Sequence, residues 1–575
     1  MHMSPPGGAV ERTRTGADAV PDARGINLYQ ADPMARALFG LYLPEPLFAH
    51  LSPHFERLGE LAGGRLDELA SIADKHPPTL SVRGRRGNDE SRINKHPAYV
   101  EMERLAFCDL GLAAMSHRGG VLGWPEPMPP AAKYALTYLL VQAEFGLCCP
   151  VSMTDSLART LRRYGDPELV QRCLPLLTAL DFDALQQGAM FMTEQGAGSD
   201  VAGTATLAQE RPDHSFALHG DKWFCSNPDA GFAMVLARSE PTDSHPGLKG
   251  VSLFVLPRHL PDGTPNAYRI LRLKDKLGTR SMASGEIRLE GATAWLVGER
   301  GRGFQQMADM VNNSRLSNGV RAAGLMRRAL TEAMHIARER VAFGRPLIDQ
   351  PLMRRQLMKM SMRTEQARTM VFQTAWALGR ADQGHADAAP LARILTPLIK
   401  FRACRDARVV TGDAMEVRGG CGYIEEWSDA RLLRDSHLGS IWEGTSNIVA
   451  LDVLRAIRRD QALPALRARV QTLIDEGTPA QGDEAALQAQ VIDRAFSLAQ
   501  ECAAADDSHM ARQVASGLYN VVTLAGLRWE AKMAGLPQRA QIARQVLVHR
   551  LAPRDPLSSS AISPVPESDP LPEGD

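Results

Sequence analysis

The segment GSIWEGTSNIVALDVLR, at residues 439–455, places one carboxylate in surroundings that suit acid–base chemistry. Glu443 stands between a tryptophan and a glycine, just before a predicted helix whose apolar face includes Ile448, Leu451 and Leu454. A carboxylate at this place can complement the positive end of the helix dipole. In a dry setting its pKa can also rise until it acts as a general base. The segment alone favours the dipole interpretation, and the rest of the chain must decide.

Glycine-rich turns recur along the chain without forming a dinucleotide fingerprint. The stretches GERGRGF (298–304) and RGGCGY (418–423) do not fit the spacing G-x-G-x-x-G after a strand. The chain also lacks the alternation of strands and helices that defines a Rossmann domain. The sequence therefore disfavours a nicotinamide-dependent enzyme.

The composition is that of an ordinary globular protein, with 44% apolar and 23% charged residues among 575. The formal net charge is zero, so nothing global indicates a polyanionic partner. No apolar run approaches the ~20 residues needed to span a bilayer, and the polar N-terminus is unlike a signal peptide. We therefore expect a cytoplasmic protein without membrane contact. The eight cysteines show no C-x-x-C spacing, so we expect reduced thiols and no metal site.

The pattern of apolar residues divides the chain into helical regions around one β region. Helical periodicity dominates before and after short β-type runs such as GVSLFVLPR, which predict a barrel or two packed sheets. The polar stretch at 75–97 is expected to be a long loop. The fold class predicted is a multidomain α+β protein. The predicted segments are 1–25 (disordered), 26–185 (N-terminal helical domain), 186–298 (small central β domain), 299–454 (helical bundle), 455–553 (additional all-α segment) and 554–575 (disordered tail).

Four separated motifs occur in a fixed order. They are MTEQGAGSDVAG (192–203), GDKWFCSN (220–227), RVAFGRPL (340–347) and EVRGGCGYIEEWSDARLLRDSHLGSIWEGTSNI (416–448). Together they resemble the acyl-CoA dehydrogenase family of flavoenzymes. KWFCS, SIWEG and the uninterrupted WEGTSNIVALDVLR resemble more closely the AidB branch, which is associated with the response to DNA alkylation. With GINLYQADP near the N-terminus, this resemblance extends from Gly25 to about residue 553.

The resemblance implies an enzyme that carries out α,β-dehydrogenation of an acyl-CoA thioester with FAD as cofactor. Glu443 falls at the position of the family's usual base, which removes the α-proton. Some members carry the base just before an arginine on an earlier helix, and here Ser314 precedes Arg315. That alternative position is therefore empty, and Arg315 is assigned to substrate contact. A short or branched substrate similar to isovaleryl-CoA is implied, with an electron-transfer flavoprotein as acceptor.

The resemblance also assigns the cofactor site and the assembly. Arg340 and Phe343 would reach the FAD of a neighbouring subunit, which implies a homotetramer built as a dimer of dimers. One or both of Trp223 and Phe224 could instead be ordinary buried strand residues, and we expect this for at least one of them. The full set of expected FAD contacts is Phe191, Met192, Thr193, Gly198, Ser199, Trp223, Phe224, Ser226, Arg340, Phe343, Gly419, Gly420, Trp442, Thr445 and Asn447.

A second function comes from the AidB branch, whose members are associated with binding double-stranded DNA. Arg455, Arg458 and Arg459 recur at helical spacing and could contact phosphates. A solvated helix face is at least as good an explanation of these arginines. The alternative hypothesis is therefore a flavoprotein that mainly binds or protects DNA and keeps weak dehydrogenase activity.

Overall fold

The computed structural model describes residues 20–553 and residue 557. The predicted disordered tail at 554–575 lies outside the described residues, apart from Leu557, and so does the N-terminal segment 1–19. Residues 20–25 pack on the body of the protein. Ala23 is buried, and the Gly25 N–H donates to the Gly63 carbonyl at 2.7 Å. The prediction of disorder for 1–25 is therefore wrong for its last residues.

The N-terminal region is helical, as predicted. Its main helices are α1 (Ala35–Tyr42), α2 (Glu45–Gly63), α3 (Arg65–Lys75), α4 (Pro97–Arg104), α5 (Pro130–Leu140), α6 (Cys148–Tyr164) and α7 (Pro167–Leu177). Aromatic side chains hold α1 and α2 together, since the Phe39 and Phe55 ring centroids lie 4.9 Å apart. The helix α5 is buried along its whole length because other helices cover it on every side.

The polar stretch at 75–97 contains a β-hairpin instead of the predicted long loop. Strand β1 (Thr79–Arg83) pairs antiparallel with β2 (Asp89–Asn94). The hairpin rests on the central β region, where Arg258 donates to the Ser91 carbonyl at 3.1 Å and Ile93 is buried. Polar residues dominate both strands, so the sequence lacks the apolar alternation that predicts strands.

The central region is a seven-stranded sheet whose pairings close into a ring. Its strands are β3 (Gly188–Phe191), β4 (Leu207–Glu210), β5 (Phe216–Ser226), β6 (Phe232–Arg238), β7 (Val251–Pro257), β8 (Tyr268–Leu273) and β9 (Ser284–Leu296). The ring runs from β4 through β5, β9, β7 and β6 back to β4. Of the two predicted arrangements, the structure adopts the barrel-like one, with a separate apolar core inside.

Long helices follow the barrel and carry the second half of the site. They are α8 (Gly303–Glu339), α9 (Pro351–Asp382), α10 (Ala388–Arg418), α11 (Ser428–Leu438) and α12 (Ser446–Asp460). A short hairpin of β10 (Val341–Ala342) and β11 (Arg345–Pro346) separates α8 from α9. Buried charges fix α8 against its neighbours, because Arg418 on α10 donates to Glu332 at 2.6 Å and to Asp429 at 2.5 Å. Loss of one partner in such a buried pair typically costs about 3–5 kcal/mol.

The chain ends in a further all-α region that packs against α9 and α10. Its helices are α13 (Ala462–Glu476), α14 (Gly482–Ala504), α15 (Ala511–Met533) and α16 (Pro537–Val546). Arg539 on α16 is fully buried and bonds to Glu530 and Glu365, which ties this region to α9. Among the described helices, none combines the length and apolarity needed to cross a bilayer. The predicted α+β fold, with helical, β and helical regions in that order, is confirmed.

Candidate active site

The loop before α12 holds Glu443 in a left-handed backbone conformation. Its φ is +55°, and Gly444 follows at +98°. A left-handed non-glycine residue costs on the order of 1–3 kcal/mol and persists only when its surroundings enforce it. Two cations do so here: Arg315 Nε donates to the Glu443 carbonyl at 3.0 Å, and Lys400 Nζ donates to the Gly444 carbonyl. The carboxylate is therefore aimed by contacts to its own backbone.

The Glu443 carboxyl does not cap the helix that follows it. Thr445 is the N-cap residue of α12, and its own side chain forms no capping hydrogen bond. Glu443 Oε2 is shielded from solvent and bonds to no residue that the structure describes. Burial raises the pKa of Glu443, against the opposing effect of Arg315 and, more weakly, Lys400. A raised pKa and an unpartnered oxygen favour the base interpretation over the dipole interpretation.

Trp442 forms one wall beside this carboxyl. Its ring stacks on Phe145, with centroids 5.9 Å apart and planes 15° from parallel. The guanidinium of buried Arg321 lies 4.7 Å from the Trp442 ring centroid. Trp442 Nε1 and Arg321 Nη1 are both buried without a hydrogen-bond partner among the described residues. Polar atoms left in this state indicate a place where another molecule can supply partners.

The first two predicted motifs meet at the rim of the barrel. The Trp223 N–H donates to the Thr193 carbonyl at 2.8 Å, which joins MTEQGAGS to KWFCS. A buried ion pair between Glu194 and Lys222 stabilises the same junction: Lys222 Nζ lies 2.6 Å from Glu194 Oε1. Burial would raise the pKa of Glu194, but Lys222 holds it below its usual value. Sequence reasoning missed this pair, although both residues lie inside the quoted motifs.

A β-bulge explains where the two aromatics of KWFCS point. The register of β5 against β9 shifts between Lys222 and Cys225, so two consecutive side chains leave the barrel core. Trp223 is half-buried with Lys274 Nζ 3.4 Å from its ring centroid, and Phe224 is 58% exposed. Phe224 is therefore not a buried strand residue. Trp223 lies on β5 and is partly buried, so for Trp223 the interpretation as an ordinary strand residue stays open.

Other expected cofactor residues take varied positions around this rim. Phe191 is fully buried in the barrel core, so its side chain is not accessible to a cofactor, which argues against its assignment as an FAD contact. Met192 is half-buried, whereas Gly198 and Ser199 lie in an exposed turn. A Cβ added at Gly198 would meet no atom within 4 Å, which leaves the approach to this turn open.

Cys149 connects the barrel to the Glu443 loop. The thiol lies at the start of α6, forms a contact with the Ser226 hydroxyl and interacts electrostatically with Glu443. Burial raises its pKa, so the thiol stays protonated. The sequence interpretation of the cysteines as reduced thiols did not place Cys149 at the site.

Arg315 makes a different set of contacts from those predicted. Its Nη1 donates to Asp452 Oδ2 at 2.7 Å, and Arg393 Nη2 donates to the other oxygen of Asp452 at 2.8 Å. Together with the bond to the Glu443 carbonyl, the bond to Asp452 uses the Nε and Nη1 atoms of Arg315. The geometry therefore indicates that Arg315 positions the loop. Its assigned contact with substrate stays a prediction.

Arg340, Phe343, Gly419 and Gly420 form a second group. An Nη1 atom of Arg340 lies 3.9 Å from where a Cβ of Gly419 would stand, and Gly420 has open space around its Cα. Phe343 is 95% exposed at φ +53°, and Tyr423, four residues after Gly419, is 82% exposed. Exposed aromatics of this size beside an arginine are typical of a surface that another molecule covers.

Comparison with known proteins places this geometry in a family. Three family models match consecutive parts of the chain: the AidB N-terminal domain of adaptive response proteins (18–184), the acyl-CoA dehydrogenase middle domain (189–292) and the acyl-CoA dehydrogenase C-terminal domain (301–458). The Escherichia coli (strain K12) protein AidB is 36% identical over 406 residues, which cover 68% of this chain and 71% of AidB.

The chain belongs to the acyl-CoA dehydrogenase family.

Solved structures agree with this assignment. Caenorhabditis elegans ACDH-11, solved in complex with C11-CoA, is 26% identical with a TM-score of 0.85, over 95% of both chains. Bd2924 in its apo form is 30% identical with a TM-score of 0.80, over 90% of this chain and all of that one. As a member of the acyl-CoA dehydrogenase family, the protein is an FAD-dependent oxidoreductase.

The residues at the site fit FAD. Trp442 Nε1 offers a buried donor that no described residue uses, and the open turns at Gly198 and Gly420 admit close approach of a ligand. Thr445 and Asn447 are exposed at the start of α12. FAD is an aromatic ring system joined to a polar tail. The unused donor of Trp442, the exposed ring of Phe224 and the open space beside the two glycines suit such a molecule.

The three arginines predicted to contact DNA lie together near the end of α12. Arg455 Nη1 donates to Asp452 Oδ1 at 3.2 Å, and Arg458 pairs with Asp506. Arg459 is exposed. Asp506 offsets the charge of Arg458. Asp452 also pairs with Arg315 and Arg393, so it does not offset the charge of Arg455 by itself, and the predicted basic patch is weakened mainly at Arg458.

Proposed function

We propose that this member of the acyl-CoA dehydrogenase family removes the α-proton of an acyl-CoA thioester with Glu443 as the base. The observation that carries the proposal is the Oε2 atom of the partly buried Glu443 carboxyl, which is shielded from solvent and has no hydrogen-bond partner among the described residues. Burial also raises the pKa of this carboxyl, although Arg315 and the Ser314 hydroxyl oppose the shift. Arg315 and Lys400 donate hydrogen bonds to the backbone carbonyls of Glu443 and Gly444. These bonds hold the carboxyl in place without forming a direct ion pair with it. A carboxylate whose pKa is raised takes up a proton more readily than an ordinary glutamate does.

FAD, when bound, supplies the acceptor for the β-hydride. Glu443 takes the α-proton, and its backbone N–H is assigned to the thioester oxygen, where negative charge develops. Ser314, at the alternative base position, lies beside the Glu443 carboxyl and carries no charge of its own. The site thus offers one carboxylate for one proton transfer.

We further propose a short or branched acyl group similar to isovaleryl-CoA. Support comes from the stacked pair Trp442 and Phe145, which occupies space directly beside Glu443. ACDH-11, with C11-CoA bound, supports an acyl-CoA as the substrate class but a longer acyl chain. The length of the acyl chain is therefore the specific point to test.

The test is anaerobic reduction of the FAD-loaded protein by a series of acyl-CoAs, followed by loss of flavin absorbance. Butyryl-CoA, isovaleryl-CoA and undecanoyl-CoA span the relevant lengths. Isovaleryl-CoA is expected to reduce the flavin fastest. Faster reduction by undecanoyl-CoA would contradict the short-chain proposal, and no reduction by any member of the series would contradict the acyl-CoA proposal itself.

Assembly and partners are proposed on the same basis. The exposed Phe343 and Tyr423 near Arg340 support a subunit interface, as the predicted homotetramer requires. The electron-transfer flavoprotein as acceptor stays a prediction.

Binding of double-stranded DNA also stays a prediction, and the carboxylates beside Arg455 and Arg458 do not favour it. Its test is the simultaneous change of Arg455, Arg458 and Arg459 to Ala. The affinity for duplex DNA would be measured at several salt concentrations in both proteins. Equal affinities in wild type and this variant would show that these three arginines do not form the DNA-binding site.

A further inference from the structure

A basic cavity of about 230 Å³ lies between α10 and α11. Its lining consists of Arg405, Arg408, Val409 and His437. Arg405 and Arg408 stand three residues apart on α10, so their side chains share one face of the helix. His437 faces them from the last turn of α11. Arg408 and Val409 are exposed, which opens the cavity to solvent.

The cationic groups of the cavity lack anionic partners. No carboxylate lies within ion-pair distance of Arg405 or Arg408 in the part of the chain that the structure describes. The neighbouring Asp406 turns away and pairs with Arg402 at 2.6 Å and with Arg363 at 3.6 Å. Burial and the nearby charge of Arg512 lower the pKa of Arg405, as expected where like charges collect.

The two arginines instead donate to neutral hydroxyls at the ends of the Glu443 loop. Arg408 Nη1 lies 3.5 Å from Ser440 Oγ, and Arg405 Nη1 lies 3.4 Å from Ser446 Oγ. These two serines bracket the segment IWEGT, which carries Glu443. Long hydrogen bonds of this kind use one donor from each guanidinium and leave the others free.

We propose that this cavity binds a phosphate group and that its occupation restrains the loop from Ser440 to Ser446. Arginine side chains present planar forks that match phosphate oxygens, and two of them on one helix face can grip the same group. The volume of about 230 Å³ equals roughly eight liquid-water volumes, which suits a phosphate with part of its hydration shell. The phosphate is either free or carried on a nucleotide. The effect on catalysis rests on the proposed role of Glu443, whereas binding does not.

Calorimetric titration of the full-length, FAD-loaded protein with inorganic phosphate, in a buffer without phosphate or sulfate, tests the binding. Changing Arg405 and Arg408 together to Gln is expected to weaken phosphate binding at least tenfold. The same pair changed to Lys keeps the charge and is expected to lose less affinity. Arg494→Gln, an exposed arginine on α14, is the matched control and should bind as wild type does.

A parallel titration with adenosine 5′-monophosphate identifies the source of the phosphate. Affinity at least tenfold above that of inorganic phosphate supports a nucleotide-borne group, and equal affinity supports free phosphate. The site would be overturned if neither ligand gave heat on titration into the wild-type protein. It would also be overturned if the double Gln variant kept both its melting temperature and its affinity for phosphate.

Hydrogen–deuterium exchange of peptides covering 439–447 tests the coupling without relying on activity. Slower exchange in the presence of phosphate, lost in the Gln pair, is the expected result. Binding that leaves exchange of this loop unchanged would overturn the coupling. Failure of the acyl-CoA proposal would leave both of these readouts intact, so the two proposals fail separately.

Discussion

Arg315 Nε donates a 3.0 Å hydrogen bond to the backbone carbonyl of Glu443, and the same guanidinium donates to Asp452 Oδ2 at 2.7 Å. The bond links the long helix α8 to the loop before α12 and fixes a left-handed residue that would otherwise relax. The charge of Arg315 acts on the Glu443 carboxyl through space, while its hydrogen bond acts on the backbone. One arginine thereby fixes the backbone of the proposed base and also limits the rise in its pKa that burial causes.

Loss of this hydrogen bond should affect catalysis more than folding. Arg315→Gln is expected to slow flavin reduction by acyl-CoA about 100-fold, because a displacement near 1 Å at the reacting group has that effect. Asp452 keeps its bond to Arg393, so the fold should persist. Arg393→Gln is the control, since it removes another arginine partner of Asp452 without removing a bond to Glu443. Equal losses in the two variants, measured by stopped-flow absorbance, would mean that Arg315 acts only through Asp452.

The raised pKa of Glu443 predicts that its charged form, which the proposed proton abstraction requires, lowers the stability of the folded protein. A carboxyl whose pKa is higher in the folded than in the unfolded state favours folding when it is protonated, and this contribution is lost as the pH rises through the folded pKa. Glu443→Gln should therefore raise the melting temperature above that pH, with a gain that shrinks toward zero below the unfolded pKa of about 4.3. Thermal melts of both proteins from pH 4 to pH 8 measure this. A gain that is independent of pH would contradict the shifted pKa.

Lys222 and Glu194 should be essential for the rim that holds Thr193 and Trp223. Lys222→Met leaves Glu194 buried without its cation and should cost about 3–5 kcal/mol, as for other broken buried pairs. We also expect loss of FAD, because the turn at 192–199 loses its anchor. Asp221→Asn is the matched control, because Asp221 lies next to Lys222 on β5. This change breaks only the exposed ion pair with Arg288 on β9 and should alter stability little. Equal denaturant midpoints for the two variants would contradict the anchoring role.

The predicted subunit interface can be tested through Phe343. Phe343→Asp places a charge on a side chain that is 95% exposed in the single chain, so the fold of the monomer should be unaffected. Sedimentation velocity is expected to show smaller assemblies, with weaker retention of FAD. Leu352→Asp, at another exposed apolar position, is a control for added charge alone. An unchanged assembly in the Phe343 variant would remove this side chain from the proposed interface.

Local patterns predicted the helical regions and the barrel, and short motifs predicted the loop of Glu443. The hairpin at 79–94 escaped prediction because its strands are stabilised by contact with the barrel and not by their own alternation. The bulge that turns Trp223 and Phe224 outward depends on the partner strand β9, which propensity cannot reveal. Arg321 and Cys149 reach the site from distant helices. Such residues carry no sequence signal, because tertiary packing alone brings them beside Glu443.

The most direct test of the account is flavin reduction by isovaleryl-CoA in wild type and Glu443→Gln side by side, under anaerobic conditions and with matched FAD content. Glu426→Gln, an exposed glutamate outside the site, serves as the control. We predict that the Glu443 variant reduces its flavin about 10²–10⁴-fold more slowly, the usual contribution of a general base, while the control equals wild type. Reduction in the Glu443 variant at the rate of wild type would show that another group removes the proton.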